Sequence, residues 1–424
     1  MPYETPPMMD SYRENAKWDA HAARQGGTIM PSISTMLGLI SQLESPFITV
    51  HQERCILVRN RNADCLRCAQ SCTSGCIHYD GEELTISPEK CIGCGTCATV
   101  CPTCALEAHH PADADLENRA ITAMRAASGH ACIACGQLLD AAAGLYDAEK
   151  VVRVECLGRV EDSLVTTLVA NGAHDVSLVR GKCESCDHTT GWECAKAVVE
   201  TEKRLLETWK SDAVVKLTHK LPGSMRATQS SYNKAKRALF AEDRKELLDL
   251  GAKAADATVK DALGVEDEPE PSARYMKVME DGTLAHFVPD RRARLLDALA
   301  EIGEPSDVDI ATRLWGHVVI DQEKCTSCRM CATFCPTAAI TKFQDPDGTF
   351  GVEHYPGDCA KCRCCEEICP AGAIEVRDDV NARSMLEGRV ERFEMEPPIV
   401  ERDQPHAIWH TMRTMMKTDQ VYER

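Results

Sequence analysis

The chain has 424 residues, 27% of them charged and 44% hydrophobic, with a formal net charge of -18. So acidic a composition excludes a nucleic-acid binder, because phosphate contact needs a basic surface. No apolar run reaches the roughly eighteen residues of a membrane span, and no basic segment leads into an apolar one as an export signal would, so the expectation is a soluble, cytoplasmic protein.

Twenty-five cysteines in a long chain without a secretory signal do not read as a disulfide scaffold. Thiols grouped at short, fixed spacings point to bound metal. Ligation by thiolates alone, at this density, favours iron–sulfur clusters over zinc.

Residues 1–48 read as an N-terminal extension, whose apolar run Ile33–Leu43 suits a short core or docking helix. The first cysteine-rich unit spans 49–112. It opens with CILVRNRNADCLRCAQSCTSGCI, which holds Cys55, Cys65, Cys68, Cys72 and Cys76. Further on, Cys91, Cys94, Cys97 and Cys101 follow the spacing C-x2-C-x2-C-x3-C-P. That spacing recurs at Cys325, Cys328, Cys331 and Cys335, and again at Cys359, Cys362, Cys365 and Cys369. Three such thiolates wrap one cubane while the fourth reaches the other cluster of a pair, and the proline after it fixes φ and turns the chain away.

Four segments share the ending of this repeat: CTSGCI, CPTCAL, CPTAAI and CPAGAI. Aligning the first on the others puts Cys72 in fourth place, with Cys65 and Cys68 second and third. Asn62 stands where the first ligand belongs. The nearest upstream thiol is Cys55, with nine residues between it and Cys65, and a loop of that length closes at modest entropic cost. Two assignments stay open: a stretched set using Cys55, Cys65, Cys68 and Cys72, or a compact set using Cys65, Cys68, Cys72 and Cys76. The stretched set is the expected one.

Turn signals at Asp80-Gly81 and at Pro346-Asp347-Gly348 place a hairpin between the two ligand loops of each unit. Two ligand loops joined through a small antiparallel sheet resemble the bacterial two-cluster ferredoxin, and the C-terminal copy, Gly316 to Val376, follows that pattern without a gap. Four [4Fe–4S] clusters are implied. Their ligand sets would be Cys55, Cys65, Cys68 and Cys101; Cys72, Cys91, Cys94 and Cys97; Cys325, Cys328, Cys331 and Cys369; and Cys335, Cys359, Cys362 and Cys365. His109-His110 beside Pro111 reads as the exit from the first unit, not as a ligand pair.

Residues 126–212 change character. HACIA (130–134), VVRV (151–154) and DVSLVR (175–180) read as short buried strands, the latter two followed by helical patterns, so a small parallel sheet is expected. Cys132, Cys135, Cys156, Cys183, Cys186 and Cys194 sit where these strands end, which is where open α/β sheets bind ligands. The run from CIACG through VVRVECLGRVEDSLVTTLVANGAHDVSLVRGKCESCDH resembles the delta subunit of methyl-viologen-reducing hydrogenase. The resemblance covers about 80 residues, and departs at His174 and in the close spacing of Cys183 and Cys186. It implies one [2Fe–2S] cluster held by four of those six cysteines, and a relay between a hydrogenase and a heterodisulfide reductase.

Residues 213–274 read as a helical segment ending in the acidic linker GVEDEPEPS, and 275–379 as a helix followed by the second ferredoxin unit. Residues 380–424 form a tail with a Met-rich helix near Trp409–Lys417. The fold class expected is α+β and multidomain: two ferredoxin-like dicluster units around a small parallel α/β domain, with helical connecting segments. Cys76, Cys104 and Cys364 are left over. GCGTCA lies in a ligand loop and not on a strand-to-helix turn, so it is not a dinucleotide site.

Clusters with all irons held by protein thiolates leave no open position for substrate. The function expected is therefore a non-catalytic iron–sulfur electron-transfer subunit of an anaerobic oxidoreductase complex of hydrogenase, formate or heterodisulfide-reductase type. Its partners would be catalytic and flavin- or metal-containing redox subunits. The alternative is a thiol–disulfide redox enzyme using the cysteines of the middle domain.

Overall fold

The computed structural model describes residues 47–227, 277–279 and 281–396. The expected Ile33–Leu43 helix, the acidic linker and the Met-rich helix lie outside the described residues.

The first ferredoxin unit is held by two antiparallel ribbons. Strand β1 (Ile48–Val50) leads to the short helices α1 (Ile56–Arg59) and α2 (Arg67–Ser71), then the hairpin β2 (Ile77–Tyr79) and β3 (Leu84–Ile86), helix α3 (Thr96–Val100) and strand β4 (Leu106–Ala108). β1 pairs with β4, Ile48 opposite Ala108, and β2 with β3, Ile77 opposite Ile86. The turn forms where expected: Asp80 Oδ1 accepts from the N–H of Glu82 and of Glu83 at 2.8 Å, and Gly81 adopts φ 99°.

Helix α4 (Asp113–Ala126) leads into the middle domain. There β5 (His130–Cys135), α5 (Gly136–Ala141), β6 (Val152–Val154), α6 (Asp162–Ala170), β7 (Asp175–Val179), α7 (Gly191–Thr208) and β8 (Val214–Thr218) follow in order. The sheet order is β6-β5-β7-β8, all parallel. Its core takes in Ile133, Val154, Leu164, Leu168, Val176, Leu178 and Val198, each burial worth about 1.5–3 kcal/mol. Because side chains alternate along a strand, Ile133 and Cys135 join this core, while Cys132 and Ala134 join a second one with Leu139, Val179 and Met225.

The C-terminal part begins with α8 (Asp290–Ile302), packed on α6, and β9 (Asp309–Ala311). The second ferredoxin unit then runs β10 (His317–Ile320), α9 (Met330–Phe334), β11 (Ile340–Gln344), β12 (Phe350–His354), α10 (Cys364–Ile368) and β13 (Ile374–Arg377). β10 pairs with β13 and β11 with β12, repeating the two-ribbon plan of the first unit. Beyond it come β14 (Asp379–Asn381), α11 (Ala382–Leu386) and β15 (Glu391–Met395), with β14 on β9 and β15 on the edge of β12.

Two strands depart from the sequence reading. Residues 214–218 were expected to open a helical segment, yet they form β8 at the sheet edge, where only Val215 is buried and the alternation is faint. Residues 391–395 were expected in an extended tail. They form β15 because β12 offers an unpaired edge, although Glu391, Arg392 and Glu394 hide the strand pattern.

Asp113, in the first turn of α4, ties three parts together. Its carboxylate accepts from Arg159 of the middle domain, from Arg291 Nε at 2.9 Å and from Arg294 Nη2 at 3.0 Å, both on α8. These guanidiniums outweigh burial and hold the carboxyl well below the usual carboxylate range.

Candidate metal centres

The four ligand loops share one backbone design. Each ends in a five-residue helix whose C-cap is the fourth cysteine of its motif: Cys72, Cys101, Cys335 and Cys369. Three residues further on, every copy has a left-handed residue: Gly75, Cys104, Ala338 and Gly372. In three copies the loop itself also carries a left-handed pair, at Gly93 and Gly95, at Ser327 and Arg329, and at Lys361 and Arg363. Four non-glycine residues held at positive φ are a costly departure from ordinary backbone, and here they coil the chain so that successive cysteines face inward. The first copy lacks this pair. Leu66, in the place of Gly95, has φ -121°, because its chain arrives by the longer path from Cys55.

Neighbouring thiols of the ligand loops feel one another's charge. Cys68 is pushed up to about 12 by burial foremost, then by the charges of Cys101, Cys55 and Cys65. Cys97 is raised by burial and by Cys94, Cys68, Cys91 and Cys72. In the second unit, Cys331 rises to about 12 through burial and the charges of Cys328, Cys325 and Cys369. A small cavity is lined by Cys325, Cys328, Cys331 and Cys369 together with Ile320, Met330, Ile374 and Met395. Cys365 is raised by burial and by Cys362, Cys359, Cys335 and Cys331. Beside that group His354, fully buried, sits 2.9 Å from Glu391 through Nδ1. Against burial, Cys359 and Glu391 raise it to about 9.

The middle domain sorts its six cysteines. Cys156 rises to about 12 through burial, with Cys94, Cys183 and Cys186 adding to it. Burial also raises Cys183, which feels Cys135 and Cys186, while Arg180 opposes the rise. Cys135, Cys156, Cys183 and Cys186 therefore share one neighbourhood at the carboxyl ends of β5, β6 and β7. Cys132 faces the other core, near Asp175 and Lys216, and Cys194 donates to Gly158 O at 3.8 Å. The thiols of Cys132 and Cys135 do not meet.

The donor chemistry of these groups fits iron–sulfur centres. Main-chain N–H groups point at sulfur: Ala105 to Cys101 and Ala373 to Cys369 at 3.3 Å, Gly181 to Cys135 at 3.1 Å, Gly158 to Cys156 at 3.4 Å and His188 to Cys186 at 3.5 Å. Such donors stabilise thiolate, the ligating form. All twenty-five cysteines are free of disulfides.

Close backbone approach joins the middle domain to the first unit. A Cβ at Gly191 would stand 2.1 Å from Cys156 Sγ, and one at Gly158 would stand 2.1 Å from Thr96 Oγ1. Only glycine lets α3, the turn at Leu157–Arg159 and the start of α7 come together beside Cys94 and Cys156.

Among the leftover thiols, Cys76 is buried where the other copies have Ala105, Ala339 and Ala373, and Cys364 is buried with its Sγ 3.7 Å from Phe334 O. Burial raises Cys104 to about 12. His109 bonds Thr49 Oγ1 at 2.7 Å, across the β1–β4 ribbon.

Three segments match known families. Residues 84–107 match the 4Fe-4S binding domain, 133–235 the delta subunit of methyl-viologen-reducing hydrogenase, and 316–373 the 4Fe-4S dicluster domain. Two 4Fe–4S ferredoxin domains flank a hydrogenase-delta-like domain. The delta-like match reaches past β8, in keeping with a sheet of four strands and not three. A protein named Ferredoxin 7Fe, from Hydrogenibacillus schlegelii, is 41% identical over 39 residues, which is 9% of this chain and 50% of that relative. The chain thus spans about half the length of this curated relative. Among the described residues no helix is long and apolar enough to cross a membrane.

Proposed function

We propose that the chain is a non-catalytic electron-transfer subunit, with four [4Fe–4S] clusters in its ferredoxin domains and one [2Fe–2S] cluster in its delta-like domain. The ligand sets are Cys55, Cys65, Cys68 and Cys101; Cys72, Cys91, Cys94 and Cys97; Cys335, Cys359, Cys362 and Cys365; Cys325, Cys328, Cys331 and Cys369; and, in the middle, Cys135, Cys156, Cys183 and Cys186. Bound clusters supply one-electron redox chemistry. The chain holds them, shields them from water and lines them up.

The observation that carries this reading is that thiol groups lie near one another within and between domains: Cys156 feels Cys94, Cys97 feels Cys68 and Cys365 feels Cys331, while Cys65 meets the second unit through Glu367. We read them as a row from Cys183 and Cys186 at one end to Cys325 and Cys328 at the other. A row with two separate ends suits a conductor between two partner proteins, one of hydrogenase or formate type and one flavin- or heterodisulfide-reductase-like, in an anaerobic cytoplasm. The thiol–disulfide alternative is weakened by Cys132 and Cys135, which lie on opposite faces of β5. Anaerobic co-purification tests the reading: the chain should come with a catalytic redox subunit, and once reduced should pass electrons to it. A chain that turns over a disulfide substrate alone would overturn it.

A further inference from the structure

The nine residues between Cys55 and Cys65, which break the repeat of the first ferredoxin domain, are the part of it that touches the second. Helix α1 ends at Arg59, which is 4% exposed. Its Nε donates to Phe334 O at 3.3 Å and its Nη2 to Cys335 O at 3.4 Å. Nη1 donates to Ala285 O at 2.7 Å and to Glu53 O at 3.0 Å. Asn60 is also buried, and the main chain of Asp64 faces the Glu367 carboxylate. Residues 56–64 thus form a bridge from Cys55 and Cys65 to the chain around Cys335, Cys362 and Cys365.

The chemistry of Arg59 is unusual for a staple. All four of its acceptors are main-chain carbonyls, and among the described residues no carboxylate forms an ion pair with it. A buried guanidinium without a counter-charge is costly, and the negative charge acting on it comes from the Cys364, Cys335 and Cys362 sulfurs, with Glu53 after them. Four thiolates gathered in one group repel one another, and a cation held beside them offsets that repulsion strongly in a low-dielectric setting. We propose that the 56–64 bridge couples the two ferredoxin domains electrostatically, with Arg59, carried by the first domain, as the positioning residue whose charge favours reduction of the cluster held by Cys335, Cys359, Cys362 and Cys365 in the second. This rests on the quartets assigned above.

The test is EPR-monitored redox titration of the full chain, prepared anaerobically, as wild type, Arg59→Gln and Arg59→Lys, with iron determined in each. Loss of the positive charge should move the midpoint of one of the four [4Fe–4S] signals to more negative potential, with iron content unchanged. Lysine should restore most of the shift. Unchanged midpoints in Arg59→Gln, or a shift shared by all four signals, would overturn the inference. If Arg59→Gln loses iron, Arg59→Lys decides: retained iron with near-wild-type midpoints upholds a role for the charge, and iron loss in both variants reduces Arg59 to a structural staple. A wild-type chain without four-iron clusters would instead refute the proposed function.

Discussion

The sulfurs of Cys72 and Cys76 lie 3.5 Å apart, yet only Cys72 caps a ligand-loop helix. Cys76 occupies the buried position that is alanine in the three other copies. Under the proposed assignment it is a packing thiol, and Cys55, reached across the nine-residue bridge, completes the quartet. Cys76→Ala should keep full iron content and change stability by less than about 1 kcal/mol, since the thiol acts there as a small hydrophobe. Cys55→Ala should lose one cluster, about four irons. Iron loss in Cys76→Ala with none in Cys55→Ala would reverse the register.

In the delta-like domain, Cys156→Ala should abolish the [2Fe–2S] EPR signal, whereas Cys132→Ala and Cys194→Ala should retain it. Cys132 packs in a different core and Cys194 bonds a carbonyl, so the proposed ligand set leaves both out. A signal lost with Cys132 would mean that β5 is out of register.

Asp113→Asn should destabilise the protein by about 3 kcal/mol, because Arg159, Arg291 and Arg294 would lose their shared carboxylate at a largely buried joint. The folded carboxyl lies below its unfolded value, so this stabilisation is full above about pH 4 and lost only as the pH falls further. Thermal unfolding followed by visible absorbance checks both points: the variant should melt lower across the neutral range, with the gap closing only in acid.

Glu202 gives the opposite sign. It is fully buried, with Thr166 Oγ1 3.0 Å from both carboxyl oxygens. Burial foremost, then the charge of Asp162, raise it well above the carboxylate range. The folded state thus holds a proton that the unfolded chain releases near pH 4, and stability falls as the pH rises towards the folded value. Glu202→Gln should flatten that decline, and should melt higher than wild type at pH 8 relative to pH 5.5. An identical slope in both proteins would show that Glu202 is charged in the fold.

The ligand loops were legible because a four-thiolate centre fixes spacing along the chain, and the repeat exposed the one departure at Asn62. The hairpins were legible through Asp80-Gly81 and Asp347-Gly348, whose side chains and φ angles leave a local mark. What could not be read depends on distant partners. β8 and β15 form because an edge elsewhere is free to pair. The Asp113 hub joins residues about 180 positions apart, and Arg59 binds carbonyls, which carry no sequence signal. The nine-residue insertion was itself a sign that something had to be reached, although its target lay more than 270 residues away. Sorting the six middle cysteines needed strand parity, since Cys132 and Cys135 look like one pair in sequence and face opposite cores.

Iron and acid-labile sulfide determination on anaerobically purified protein, paired with EPR of the reduced sample, tests the central claim most directly. The prediction is about sixteen irons in four-iron clusters and about two more in a [2Fe–2S] centre, with no stoichiometric zinc. Fewer than four cubanes, or zinc in the delta-like domain, would contradict the assignment of a five-cluster conductor.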